Sequence, residues 1–156
     1  MQWSDILADP SLQDLPYKIE TNQYGQIVMS PASNQQGFLQ VEIAAALRVR
    51  ATGRVYSEAS IDTGRGVKVA DVAWCSDAFH AKHGPSDPFP AAPELCVEVR
   101  SPSNSRRELD EKRALYFAAG ATEVWECDLQ GAVTFFGPAG ELTDSTLFAG
   151  FPKQIG

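Results

Sequence analysis

The stretch PELCVEVRSPSN, residues 93–104, decides the fold. Its core, LCVEV (Leu95–Val99), is a short apolar run of the kind that forms a buried strand, interrupted by one acid, Glu98. Burying an ionised carboxylate without a partner costs more than strand propensity returns, so Glu98 requires water, a cation, or both. Alternation puts Leu95, Val97 and Val99 on one face and Cys96, Glu98 and Arg100 on the other. Ligands of open α/β sheets bind near the carboxyl ends of strands, which places Glu98 at the edge of a candidate site.

The residues after this strand predict a helix over about 106–119. Ser105 and Glu108 have the spacing of a capping box, and Gly120 stands where a left-handed terminator belongs. At about 100° per residue, Lys112 falls inside the stripe formed by Leu109, Leu115, Tyr116 and Ala119. An inward lysine of this kind either pairs with Glu108 one turn earlier or reaches toward the end of the sheet that carries Glu98.

Before the strand, VKVADVAWC (67–75) predicts another buried strand, interrupted by Asp71. This acid is read either as a strand-end residue taking backbone hydrogen bonds or as a partner of Glu98. Two carboxylates on neighbouring strands with a lysine close by are what hydrolysis of a phosphodiester needs. Asp71 and Glu98 would hold Mg²⁺, or Mn²⁺, which prefers oxygen ligands and activates a bound water. Lys112 would orient that water and neutralise charge at phosphorus.

The rest of the chain supplies a frame. YKIET and QIVMSP around NQYGQ predict an N-terminal hairpin. A helix is expected over about 33–51, with Phe38, Val41, Ala45, Leu47 and Val49 as its apolar residues and Gly53 as its stop. RVYSEAS predicts a strand, HAKHGPSDPFPAAP (80–93) a loop, and EVWECD and AVTFFG two strands around Gln130 and Gly131. The order is β-β-α-β-β-β-α-β-β, an α/β (α+β) class in one domain over 1–156. His80 and His83 are expected at the surface, Trp74 and Trp125 in the core, and Glu42 pointing to solvent.

A net charge of −7 over 156 residues argues against nonspecific coating of nucleic acid. Net positive charge is confined to two stretches, 48–68, where Arg48, Arg50, Arg54, Arg65 and Lys68 stand against Glu58 and Asp62, and, more weakly, 98–113. Cys75, Cys96 and Cys127 show no C-x-x-C spacing and are expected as buried free thiols. No apolar run is long enough to cross a membrane and the start lacks signal-peptide character, so a cytoplasmic protein is expected.

The same residues resemble a known family. Asp71, then Glu98 with Ser101, Pro102 and Ser103, then Lys112 with Tyr116, Gly120, and Glu123 with Trp125 are similar to the signature of the Uma-type restriction endonucleases within the PD-(D/E)XK nuclease superfamily. The resemblance extends from VMSPAS to the closing AGFP. It implies a restriction-endonuclease-like mixed β-sheet flanked by helices, DNA as substrate and a homodimer. Asp71, Glu98 and the main-chain carbonyl of Val99 would ligate the metal, and Lys112 would be the catalytic lysine, carried by the helix instead of the strand. Three positions depart from the pattern: Ala70 replaces the proline of PD, Arg100 stands at the usual lysine position, and Gln36 replaces a histidine of the first helix. The alternatives are a noncatalytic DNA- or protein-binding module with a vestigial metal site, and a metal-assisted hydrolase of small phosphate compounds.

Overall fold

The computed structural model describes all residues, 1–156. A six-stranded sheet runs β3 (Arg54–Asp62), β4 (Val67–Cys75), β5 (Leu95–Val99), β6 (Glu123–Cys127), β7 (Val133–Gly137) and β8 (Gly140–Leu142), in that spatial order. Only β5 and β6 are parallel. Parallel neighbours need a crossover, and α4 (Arg106–Ala118) provides it. β1 (Tyr17–Thr21) and β2 (Ile27–Pro31) form a separate antiparallel hairpin laid against β4.

Each face of the sheet is covered. On one side, α2 (Asn34–Arg48) lays Leu39, Ile43 and Leu47 over Leu95, Val97, Val99, Trp125 and Phe135. Burying such side chains contributes roughly 1.5–3 kcal/mol each. On the other side, Tyr116 of α4 joins Ala73, Cys96, Val124 and Phe89. The two faces of β5 therefore enter different clusters, as alternation requires.

The buried stripe of α2 corrects the expected one. Of the residues assigned to it, only Leu47 is buried, while Phe38, Val41 and Val49 are exposed at 47%, 65% and 80%. The chain carries apolar residues at two helical phases, and the phase with the longer aliphatic side chains faces the sheet. Residues 77–83 are a further correction. The start of the expected loop lies in α3 (Asp77–His83), whose first turn is capped by Ser76 accepting the Phe79 N–H. The N-terminal segment adds α1 (Trp3–Ala8) and a 3-10 turn at Pro10–Leu12. The predicted α4 starts where expected, with its reciprocal Ser105–Glu108 capping box. Trp125 is buried, Trp74 packs partly buried against the same cluster, and the three thiols are free and buried. No helix is long and apolar enough to cross a membrane.

Candidate active site

β4 and β5 separate at one point, and the candidate site lies there. Their paired residues end at Val72 opposite Val97, so Asp71 and Glu98 sit just past the last rung. Asp71 Oδ2 accepts the Val99 N–H at 2.7 Å, a side chain in place of the missing ladder bond. Farther along β4, the hairpin takes over. The Val69 N–H donates to Glu20 Oε2 at 2.7 Å, and the Val67 N–H donates to Thr21 Oγ1 at 2.8 Å. Backbone donors freed by the splaying strands are thereby satisfied by acceptors that the sequence places in β1.

The wedge holds alternating charges. Asp71 Oδ1 and Glu98 Oε2 converge on one ammonium, Lys18 Nζ, at 3.0 and 3.3 Å. Glu98 Oε1 meets Lys112 Nζ at 3.2 Å and accepts the Tyr116 hydroxyl at 2.7 Å. Lys112 Nζ also contacts Glu20 Oε2 at 2.7 Å. The structure thus brings Asp71, Glu98 and Lys112 together. Lys112 is not paired with Glu108, which is occupied in the capping box. No three His, Cys, Asp or Glu side chains converge on a common metal position.

Burial is the first determinant of the proton affinity of Glu98, Glu20, Lys18 and Lys68. It pushes Glu98 up to about 6, against the opposing pull of Lys112 and Lys18. For Glu20 burial also acts upward, but Lys112 and Lys18 outweigh it and hold the carboxyl below its ordinary value. Lys18 is drawn the other way. Burial alone would lower it, yet Glu98, Asp71 and Glu20 together raise it. Lys68, its ammonium on the Thr21 carbonyl, is lowered mainly by burial.

α2 reaches the wedge from the opposite face of the sheet. Gln36 Nε2 donates to the Val99 carbonyl at 3.3 Å, while its Oε1 accepts the Ser33 N–H as part of the helix cap. Gln40 Nε2 donates to the Asp71 carbonyl at 2.9 Å. Glu58 of β3 lines a small cavity together with Gln36, Gln40, Asp71 and Glu98. It stands where a rung opposite Asp71 would fall, between the Ser57–Val72 and Ala59–Ala70 pairs, and has φ 54. A positive φ at a non-glycine residue is strain that a functional site can retain.

Lys18, Glu20, Gln40 and Glu58 were not singled out from sequence. K-x-E in a strand sets the first two on one face, but nothing local to YKIET distinguishes that face from a solvated one. Arg100 is exposed, and its backbone N–H caps Cys127 O. Glu42 lies outside the residues lining the small cavity, while a cleft of about 900 Å³ between the hairpin and α4 opens onto Glu20, Glu98 and Lys112.

The donor chemistry fits a hard divalent cation. Two carboxylate oxygens from neighbouring strands already share one positive charge, the Lys18 ammonium. Mg²⁺ keeps several waters and needs few protein oxygens, so two carboxylates match it in donor type.

Comparison with known proteins agrees with this architecture. A family model described as Uma2, putative restriction endonuclease, matches residues 9–144. Among solved structures, a putative nuclease belonging to DUF820 from Anabaena variabilis ATCC 29413 is similar, with a TM-score of 0.69 and 16% identity over 88% of this chain and 80% of that one. At that identity the likeness shows the fold. No curated protein matches the chain.

Proposed function

We propose, from the premise that this chain belongs to the Uma2 family of putative restriction endonucleases, that it is a divalent-metal-dependent endonuclease hydrolysing DNA phosphodiester bonds. The observation that carries the reading is the convergence of Asp71 Oδ1 and Glu98 Oε2 on one cation position, with the Lys112 ammonium 3.2 Å from the other oxygen of Glu98. Asp71, Glu98 and the Val99 carbonyl would hold Mg²⁺ or Mn²⁺. Bound there, the ion would supply charge stabilisation at the phosphate and a water of lowered pKa.

The chain's own residues set the rest. Val99 N–H fixes one oxygen of Asp71, leaving the other for the cation. Tyr116 and Lys112 fix Oε1 of Glu98 in the same way. Lys112, held by Glu20 and Glu98 beside the cleft, orients the attacking water and faces the charge that develops on the phosphate. The cleft between the hairpin and α4 admits the strand. Cutting both strands of a duplex needs two such sites, so the active form is a homodimer, which light scattering tests.

A second reading has its own support. Lys18 already neutralises the two acids, as it would in a noncatalytic binding module on the same fold. The deciding experiment is cleavage of supercoiled plasmid and of single-stranded and branched oligonucleotides with Mg²⁺ or Mn²⁺. Asp71→Asn, Glu98→Gln and Lys112→Ala should each abolish cutting by the folded protein. Undiminished cutting by all three, or none by the wild type, removes the nuclease reading.

A further inference from the structure

We infer that Lys18 is an exchangeable counter-ion: its ammonium holds the metal position in the metal-free protein and is displaced when a divalent cation binds. The inference rests on the metal reading above and concerns a residue that the family signature in this chain does not include.

The argument is geometric. Of the four carboxylate oxygens of Asp71 and Glu98, two are committed elsewhere. Asp71 Oδ2 accepts the Val99 N–H, and Glu98 Oε1 is shared by Tyr116 and Lys112. The remaining two, Asp71 Oδ1 and Glu98 Oε2, both meet Lys18 Nζ, at 3.0 and 3.3 Å. A divalent ion held by those same two oxygens would have to take the place of the ammonium they now share, because two cations cannot occupy one position between them.

The two lysines of the wedge therefore differ. Lys112 contacts Glu98 through the oxygen turned away from the shared position, and its other partner is Glu20, so it stays when a metal enters. Lys18 has its two ionic contacts on the metal-binding oxygens themselves. It also comes from the hairpin, a separate two-stranded sheet, so withdrawal of one long side chain on β1 leaves the six-stranded sheet intact. Binding a metal then costs the loss of both Lys18 contacts, and this sets the affinity.

The test is titration of Mn²⁺ alone, by calorimetry, into the chelator-treated wild-type chain, Lys18→Met, Lys18→Gln, Lys112→Met and Glu98→Gln, with the melting temperature of each protein with and without Mn²⁺. Lys18→Met and Lys18→Gln should bind Mn²⁺ on the order of tenfold more tightly than wild type, the usual scale of coupling between linked sites. Their metal-free melting temperature should fall and their gain on adding Mn²⁺ should exceed that of wild type. Equal gains for Lys112→Met would mean that local charge alone matters, and would overturn the exchange. So would unchanged or weaker binding by the Lys18 variants while Glu98→Gln loses binding, an outcome that leaves the metal site standing. Absence of Mn²⁺ binding by every protein would remove the metal site and the exchange together. If the Lys18 variants are unfolded without metal, refolding by Mn²⁺ supports the exchange, and failure to refold overturns it.

Discussion

Asp71 accepts the backbone N–H of Val99 across the gap where β4 and β5 part, at 2.7 Å. One carboxylate thus closes the sheet with one oxygen and presents the other to the site. Asp71→Asn can still accept that N–H, so it should keep the fold while losing metal-dependent cleavage by two orders of magnitude or more. Asp71→Ala leaves the N–H unpaired and should lose about 1–3 kcal/mol of stability as well. Plasmid nicking and urea unfolding of the two variants separate these roles.

Glu20 and Lys112 form the buried pair that joins the hairpin to α4. Removing one partner of such a pair is costly, and Glu20→Gln should lose about 3 kcal/mol. In the double variant Glu20→Gln with Lys112→Met, the losses should be smaller than the sum of the single ones by about 1 kcal/mol or more. A double-mutant cycle by urea unfolding measures this, and additive losses would mean that the pair is uncoupled.

The left-handed conformation of Glu58 makes a signed prediction. A side chain at positive φ costs about 1–2 kcal/mol that glycine avoids. Glu58→Gly should therefore be more stable than Glu58→Ala by about 1 kcal/mol, read from thermal melts. Equal stabilities would show that the backbone relaxes once the glutamate is gone.

Glu123 is buried at the start of β6 and accepts hydrogen bonds from the Trp125 indole, the Ser145 and Thr146 hydroxyls, and the Thr146 and Leu147 N–H groups. Burial pushes its proton affinity up, and these donors outweigh burial and hold the carboxyl below the ordinary 4.5. A depressed carboxylate stabilises the fold above its unfolded value, and that contribution is lost as pH falls through the folded value. The stability difference between wild type and Glu123→Gln should thus be full above about 4.5 and shrink in acid. Guanidinium unfolding across the acid range checks it; a constant difference would show that Glu123 does not titrate in that window.

Core packing on α2 gives a direct contrast. Ile43→Ala should cost about 2–5 kcal/mol, because Ile43 is fully buried, whereas Val41→Ala should stay within about 0.5 kcal/mol. The contrast also marks a limit of legibility. Helical period was readable between Ser33 and Ala51, but two phases were available, and which one faces the sheet depends on partners distant in sequence. The chemistry of β5 was readable because one acid in LCVEV has few physical explanations. The Asp71 and Lys112 interruptions worked in the same way, each being a charge in an apolar setting. Lys18 and Glu20 carry no such contrast: in YKIET they look like the wet face of a hairpin, and only the docking of β1 on β4 turns that face inward. Gln40 was opaque for a related reason, since an uncharged amide on a helix reads as surface until a backbone carbonyl is found beneath it.

The C-terminal residues have a practical consequence for anyone trimming the chain. The family match stops at 144, yet the residues beyond it supply Ser145 to Glu123, the Phe151 ring to Trp125 at 4.5 Å between centroids, and Ile155, whose N–H donates to the Gly131 carbonyl. Homology and folding draw different borders here. An expression fragment cut at the homology border would strip the aromatic plug from beside the α2-covered face, expose Trp125 and leave Glu123 without most of its donors, so a soluble working fragment has to be cut by packing instead of by alignment.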